Sequence, residues 1–454
     1  MAPPPLFAHQ VESIRLMLGN ERILDTSDPG TGKTRVQIET FAARRQRGGK
    51  CALVLAPKSL LRCAWEADFR KFASHLEVSV ATAERREEAF EADADVYVTN
   101  IDAVRWLSKQ KPKFFERFDT LIIDESSHFK HHTSQRSRGL NKIKKHFKYR
   151  YALTGTPNSN SIADLWNQVF ILDDGQRLGT SFYQFRASVC EPKQVGPSPN
   201  MVQWRDRQGA ELAVGTLLDG FVIRHKLEEC ISIPENHLYS LEHQLPPKQM
   251  KVYRAMEKNA LTILSNGDEV STVNAAGVAT KLLQIASGAV YNDDGGYSVV
   301  DTKRYELVAE LVQARKHSVV FFNWTHQRDQ LIAAFDAEGI TYAVIDGSTS
   351  AKDRKTYVDH FQAGFYRVLL AHPASAAHGL TLTKGTATIW ASPTYNLEHF
   401  VQGNRRIYRA GQTERTETII VIAPNTIEEH VYEMLKNKDE RQMTLLDVLK
   451  EMSK

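Results

Sequence analysis

Cysteine is scarce in this chain. Cys51, Cys63, Cys190 and Cys230 are scattered over 454 residues, with no CxxC pair and no histidine cluster at zinc spacing. This argues against a disulfide framework or structural zinc and for a reducing compartment. Long apolar runs are also missing. The longest are five or six residues, far below the ~20 needed to cross a bilayer, so no membrane partner is expected. The N-terminus, MAPPPLFAHQ, lacks a basic region followed by an apolar stretch. It does not read as a signal peptide, and the expected location is the cytoplasm. Charge of one sign is nearly absent. Fifty-eight Lys and Arg face 54 Asp and Glu, a formal net charge of +4. Any polyanion would have to be held by local patches, because a global field is lacking. No internal repeat or low-complexity tract interrupts the chain. What is present is an ordinary soluble composition, 42% apolar and 25% charged, with enough chain for two or more cores.

Short apolar runs alternate with longer amphipathic stretches. In the first half the runs are CALVLAP (51–57), DVYVT (95–99), TLIID (120–124) and YALTG (151–155). In the second half they are SVVFF (318–322), YAVID (342–346), RVLLA (367–371), TIWAS (388–392) and TIIVIA (418–423). Each is strand-length and bounded by turn-forming residues, so the alternation predicts βα units on buried parallel sheets. Two such blocks predict two α/β domains, 1–233 and 234–454. Between about 173 and 300 the pattern changes. EPKQVGPSPN (191–200) and NDDGGY (292–297) read as loop and turn, and KQMKVYRAMEKNALTIL (248–264) as an exposed helix. From Thr426 to about Lys450 the chain reads as helical and highly charged.

SDPGTGKT (27–34) follows the apolar stretch RILDT. The phosphate-loop template wants Gly where Ser27 stands. GTGKT still offers consecutive backbone N–H groups at a helix start, with Lys33 for the β- and γ-phosphates and Thr34 for Mg²⁺. On its own, GKT is equally a chance turn. LIIDESSHFK (121–130) adds a buried strand ending in two acids, Asp124 suited to Mg²⁺ and Glu125 suited to activating water. YALTGTP ends in Thr154 and Thr156, which could bond those acids or simply form a turn.

The ordered series DPGTGKT, LAPKSLLRCAWEADFRKF, DESSHFK, LTGTPNSNSIADLWN, VIDGSTSAKDR, HGLTLT and QGNRRIYRAGQ resembles the Swi/Snf-type superfamily-two helicase-like ATPases over nearly the whole chain. The resemblance is to a compact, motor-core-only, bacterial or phage-like member. It implies two RecA-like lobes with parallel sheets, helical protrusions between the third and fourth motifs, and DNA-dependent ATP hydrolysis with Mg²⁺. It places ATP against Asp28, Gly30, Thr31, Gly32, Lys33, Thr34 and Gly379. It gives Gln10 the adenine edge, although an ordinary helix-start glutamine explains that residue too. The last motif falls on Gln402, Arg406 and Arg409. The resemblance has these arginines reach the γ-phosphate from lobe two, and their i, i+3 spacing predicts one helix face. Arg405 reads as exposed or DNA-facing.

The same resemblance places phosphate contacts to DNA at Lys58, Ser59, Thr99 and Asn100 in lobe one. In lobe two it places them at Asn323, Gly347, Ser348, Thr349, Arg354 and Thr381. The stretch 130–150 carries eight Lys or Arg and no acid. It reads either as a solvated basic helix or, lacking acids nearby, as a DNA-facing surface. Three departures from the family pattern stand out. Ser127 replaces the usual box histidine, Ser375-Ala376-Ala377 replaces a flexible AGG, and Tyr395-Asn396 replaces Trp-Asn. The expectation is a monomeric, sequence-independent ATPase motor on duplex or branched DNA, in a bacterial or phage-infected cell. A strand-separating or branch-migrating helicase, and a nucleotide-switched scaffold that hydrolyses poorly, remain open beside it.

Overall fold

The computed structural model describes residues 4–155, 157–158, 161–194, 202–265, 269–292, 296–376 and 380–436. The chain forms two compact units. The first is Met1–Lys193 with Gln203–Ser232, and the second is Ile233–Lys454 with Gln194–Val202.

The first unit is built on strands β1 (Arg22–Asp25), β2 (Cys51–Ala56), β3 (Val78–Ala81), β4 (Val96–Asn100), β5 (Phe118–Asp124) and β6 (Tyr149–Leu153). Two short strands, β7 (Cys190–Gln194) and β8 (Val202–Asp206), pair with each other, and β9 (Val222–Ile223) returns to the main sheet. The sheet order is β3-β4-β2-β5-β6-β1-β9, and every pair is parallel. Parallel strands covered on both faces must be apolar throughout. Accordingly Leu53, Leu55, Leu121 and Ile123 enter one core, and their neighbours Ala52, Val54, Ala56 and Ile122 enter the other. Helices α1 (Ala8–Gly19) and α2 (Lys33–Gln46) flank β1 in sequence.

The second unit repeats the design. Its strands are β10 (Asn236–Glu242), β13 (Ser318–Phe321), β14 (Tyr342–Ile345), β15 (Val368–Ala371), β16 (Ala387–Trp390) and β17 (Thr416–Ile422), in the order β10-β17-β16-β13-β15-β14 and again all parallel. A separate antiparallel pair joins β11 (Ala289–Tyr291) to β12 (Tyr297–Val299). Helices Pro247–Ser265 and Glu269–Ala286 pack on each other ahead of this sheet. Both sheets thus match the two RecA-like α/β units expected.

Two sequence expectations need correction. The helix at 247–265 is not simply exposed. Tyr253 is fully buried and its hydroxyl accepts the Ile427 amide at 2.7 Å, while Gln249 donates to Ile285 O at 2.6 Å. The basic stretch 130–150 does find acids, supplied by distant parts of the chain. Lys130 pairs with Asp164, Arg136 with Asp102, Lys148 with Glu21, and both Lys144 and Arg150 with Asp174. Lys144 and Arg150 are themselves buried. The exposed Arg138, Lys142 and Lys145 are what remains for the solvated or DNA-facing surface expected there. The C-terminal helix is described as Ile427–Lys436, and the remainder of that expectation lies outside the described residues.

Candidate functional site

Three neighbouring strands deliver the motif residues to one sheet edge. The order β5-β6-β1 puts Leu153 in register with both Asp25 and Asp124. The loop after β1, Thr154 after β6 and the two acids at the end of β5 therefore emerge side by side. Ligands of open parallel sheets bind at this carboxyl edge.

The loop turns through Gly30 (φ 94°) and Gly32 (φ 88°) before α2 begins at Lys33. Gly32 is constrained twice. Its φ is left-handed, and a Cβ would sit 2.2 Å from Gln10 Nε2. Gln10 is buried, and its amide is engaged inside the unit. Nε2 donates to Thr31 O at 3.1 Å and Oε1 accepts the Phe7 amide at 3.1 Å. Asp25 Oδ1 accepts the Ser27 amide at 2.9 Å, and Thr31 Oγ donates to Asp28 O at 2.8 Å. The template-breaking Ser27 is buried, and its hydroxyl accepts the His225 amide at 3.1 Å. Asp28 Oδ2 accepts the Leu227 amide at 3.2 Å. The segment 223–227 thus braces the loop from almost 200 residues away, a role with no local sequence signal.

Lys33 Nζ donates to the carbonyls of Ser27 and Asp28. Desolvation pushes its pKa down, opposed by the nearby charges of Asp25, Glu125, Asp124 and Asp28. An ammonium among four acids suits a site that receives a polyphosphate with a cation. Asp124 is pushed up to about 6, by burial first and by Glu125 second, against the indole N–H of Trp65, which donates to Oδ2 at 2.8 Å. Glu125 has φ 58°, an uncommon conformation for a non-glycine residue. Its Oε1 accepts from Thr154 Oγ and Ser127 Oγ, each at 3.1 Å. Thr154 therefore bonds one of the two acids, Glu125, while Thr156 lies outside the described residues. Ser127, in the position of the box histidine, is spent on Glu125.

The donor set fits a hard divalent cation. Asp124 and Thr34 supply oxygen only, and among the described residues no group of three or more His, Cys, Asp or Glu could cage a metal. Mg²⁺ prefers few protein ligands plus phosphates and water.

In the second unit, helix Leu397–Asn404 ends before Arg405. The expectation that Arg406 and Arg409 share one helix face is therefore corrected. The chain turns because Ile407 inserts against Gly385, where a Cβ would lie 2.7 Å from Ile407 Cδ1, and because Arg406 O accepts the Leu382 amide at 2.9 Å. The two guanidinium groups still converge. Arg406 Nη1 and Arg409 Nη1 donate to the same carbonyl, Leu380 O, at 3.4 and 3.0 Å. Arg406 Nε also donates to Gln402 O at 2.8 Å, and buried Gln402 donates to Glu398 Oε1 at 3.1 Å. Arg405 is half-buried with its guanidinium 5.2 Å from the Tyr408 ring, so of the two readings, exposed or DNA-facing, the first does not hold. Gly379 lies outside the described residues.

The DNA candidates divide. Lys58 and Ser59 begin a short helical turn after β2, Lys58 exposed and Ser59 half-buried. Asn100 ends β4 and its Oδ1 accepts from Arg86 at 2.9 Å. Thr99 is a correction: its side chain is fully buried and its hydroxyl donates to Ala81 O at 2.7 Å, out of reach of a polymer. Gly347 and Ser348 are exposed after β14, with Ser348 N and Oγ both on Asp346 Oδ1. Thr349 Oγ accepts the Asp346 amide at 3.0 Å. Arg354 is half-buried on helix Ala351–Ala363, and Thr381 is exposed. Asn323 directs its side-chain amide to Ser392 and Pro393, tying two loops of its own unit together.

A cavity of about 650 Å³ lies at the other edge of the first sheet, among Arg44, Arg47, Lys50, His146, Lys148 and Tyr149. It does not touch the loop site.

A family model described as SNF2-related domain matches residues 9–288, and one described as helicase conserved C-terminal domain matches 303–411. The chain belongs to the SNF2-related family. It is a helicase-like ATPase core of that family. Its relatives include putative protein p41 of Acyrthosiphon pisum secondary endosymbiont phage 1, 28% identical over 93% of each chain. They also include the putative ATP-dependent helicase/translocase YwqA of Bacillus subtilis, 24% identical over 90% of this chain and 45% of that one. An uncharacterized ATP-dependent helicase of Mycoplasma pneumoniae is 25% identical over 86% of this chain, which spans 36% of its length. This chain thus spans less than half of several longer family members. The SWI2/SNF2 ATPase core of Sulfolobus solfataricus, solved in complex with double-stranded DNA, matches with 22% identity over 100% of this chain and 94% of that chain, at a TM-score of 0.46. No described helix is long and apolar enough to cross a membrane.

Proposed function

We propose that this chain is an ATP-driven motor that tracks along duplex DNA without reading sequence and without parting the strands. The observation that carries the chemistry is the common edge of β5, β6 and β1, where the loop 27–34, Asp124, Glu125 and Thr154 meet. Residues 1–233 serve as the ATP-binding domain and 234–454 as the helicase C-terminal domain. The amides around Gly30, Thr31 and Gly32, with Asp28 shaping the loop, cradle the phosphates, and Lys33 neutralises them. Gln10 lies on the loop's flank, where its remaining hydrogen-bonding capacity can read adenine. Thr34 and Asp124 would hold Mg²⁺, which supplies Lewis-acid charge at the phosphates. Glu125, aimed by Thr154 and Ser127, orients and deprotonates water. Gln402 places that water, and Arg406 and Arg409 neutralise charge developing on the γ-phosphate, an effect of ~10³–10⁵-fold in related enzymes.

Lys58, Ser59 and Asn100 in the first unit, and Asn323, Gly347, Ser348, Thr349, Arg354 and Thr381 in the second, contact backbone phosphates. Such contacts position a protein on DNA but carry no sequence information. The motor works as a monomer in a bacterial or phage-infected cytoplasm. The test measures ATPase stimulation by single-stranded, duplex and branched DNA, beside triplex displacement and forked-duplex unwinding. Stimulation by duplex with triplex displacement and no unwinding is expected. Stimulation by single strands alone, with efficient fork unwinding, would replace this reading with a strand-separating helicase.

A further inference from the structure

Asp124 is held from an unexpected quarter. Trp65 lies 59 residues earlier, on LRCAWE, and is fully buried. Residues Leu61–Glu66 form a π-helical turn between the short turn Lys58–Leu60 and the α-helix Ala67–Phe72. A π turn admits an extra residue per turn and rotates the side chains beyond it, and such turns recur at functional sites because they re-aim a side chain. Here the re-aimed side chain is the indole. Its ring lies 6.1 Å from that of Phe69 within the core on one face of the sheet. Its Nε1 donates to Asp124 Oδ2 at 2.8 Å.

A buried indole N–H needs an acceptor, and a main-chain carbonyl would serve packing alone. The acceptor found is instead the carboxylate at the end of β5. A charge-assisted bond of this kind fixes a carboxylate's rotamer and occupies one of its oxygens. Metal-ligating groups work best when a partner behind them fixes their orientation.

We propose that Trp65 is a positioning residue for the metal-holding carboxylate. Its indole N–H pins Asp124 in the rotamer that meets Mg²⁺, so that metal-dependent nucleotide binding depends on residue 65 although it touches neither nucleotide nor metal. This rests on the assignment of Asp124 above.

The test uses the full chain with a fluorescent ADP analogue, titrated with and without saturating Mg²⁺. Trp65→Phe keeps the aromatic packing and removes the donor. It should cut the Mg²⁺-dependent gain in affinity about tenfold, the low end for a lost hydrogen bond to a charged group. Metal-free affinity should stay unchanged. On an Asp124→Asn background, Trp65→Phe should cost nothing further. Equal loss with and without Mg²⁺, or losses that multiply in the double variant, would reduce Trp65 to a packing residue. If Asp124→Asn lowers the Mg²⁺ gain and Trp65→Phe does not, the inference fails while the reading of Asp124 stands. If Asp124→Asn itself changes nothing, that reading fails first.

A measurement on the unaltered Trp65 guards against a Phe variant that folds poorly. The indole N–H resonance displaced by Asp124→Asn should also move when Mg²⁺ is added to the ADP-bound chain. A resonance indifferent to Mg²⁺ would overturn the proposal.

Discussion

Arg304 offers the sharpest test of what holds the second unit together. Its side chain and that of Glu428 are 1% and 0% exposed, and Nη2 meets Glu428 Oε2 at 2.8 Å. The same guanidinium donates to Ala391 O at 3.0 Å, Val421 O at 3.3 Å and Ala286 O at 3.0 Å. Glu428 Oε2 also accepts the Ala423 amide at 2.7 Å. One cation thus ties the end of helix Glu269–Ala286, the ends of β16 and β17, and helix Ile427–Lys436. Arg304→Met strips donors from three buried carbonyls and leaves a buried carboxylate held by the Ala423 amide. Breaking a buried pair from one side costs roughly 3–5 kcal/mol, and this case belongs at the upper end. Glu428→Gln should cost less, about 2 kcal/mol, because an amide oxygen can still accept from both partners and three carbonyl dipoles still face Arg304. The diagnostic is the double variant. With residue 428 neutral, losing Arg304 exposes no uncompensated charge, so Arg304→Met with Glu428→Gln should be more stable than Arg304→Met alone. Urea unfolding of the full chain gives the three values. Hydrogen exchange at the Ile419 to Val421 amides assigns the loss to the second sheet. A double variant weaker than Arg304→Met, with additive losses, would refute the reasoning that a stranded carboxylate dominates the cost.

Glu125→Gln should keep nucleotide binding and stall turnover, as read by single-turnover hydrolysis; wild-type turnover would remove Glu125 from its role. Arg406→Ala and Arg409→Ala should each lower kcat at least ~10²-fold with DNA affinity nearly intact. A normal kcat with a shallower salt slope for DNA binding would move that arginine to the DNA surface. Gly32→Ala forces a Cβ against Gln10 in a left-handed backbone and should abolish ATP binding at a stability cost of about 1–3 kcal/mol, checked by calorimetry. Burial raises the Asp174 carboxyl, but Arg150 and Lys144 outweigh it and hold the pKa down to about 2, against an ordinary 3.8. A depressed carboxylate stabilises fully above its ordinary pKa, and that contribution is lost as pH falls toward 2. The melting-temperature gap between wild type and Asp174→Asn should therefore shrink between pH 5 and pH 2.5, and a constant gap would contradict the pairing.

Much of the architecture could be read along the chain because its signals are local. Apolar runs such as CALVLAP and TLIID became β2 and β5 within a residue or two, since a strand buried on both faces must be apolar throughout. GTGKT needed only glycine's backbone freedom and a helix start, and both are present. Short strands such as β9 and the edge strand β10 were not legible, because their pairing partners lie far away in sequence. Long-range partners decided the rest. Lys144 and Arg150 looked unpaired until the fold brought Asp174 to them. The resemblance placed a DNA contact at Thr99, but in the fold its hydroxyl goes to Ala81 of β3. Spacing put Arg406 and Arg409 on a helix that the packing of Ile407 ends, and Leu380 O gathers them instead. Nothing local to Trp65 announces its partner, because Asp124 lies 59 residues further along the chain. The sequence determines which residues are chemically able to act, since that depends on their type and immediate neighbours. Only the tertiary structure decides which of them are already spoken for, since a buried donor or charge must find its partner wherever the chain returns.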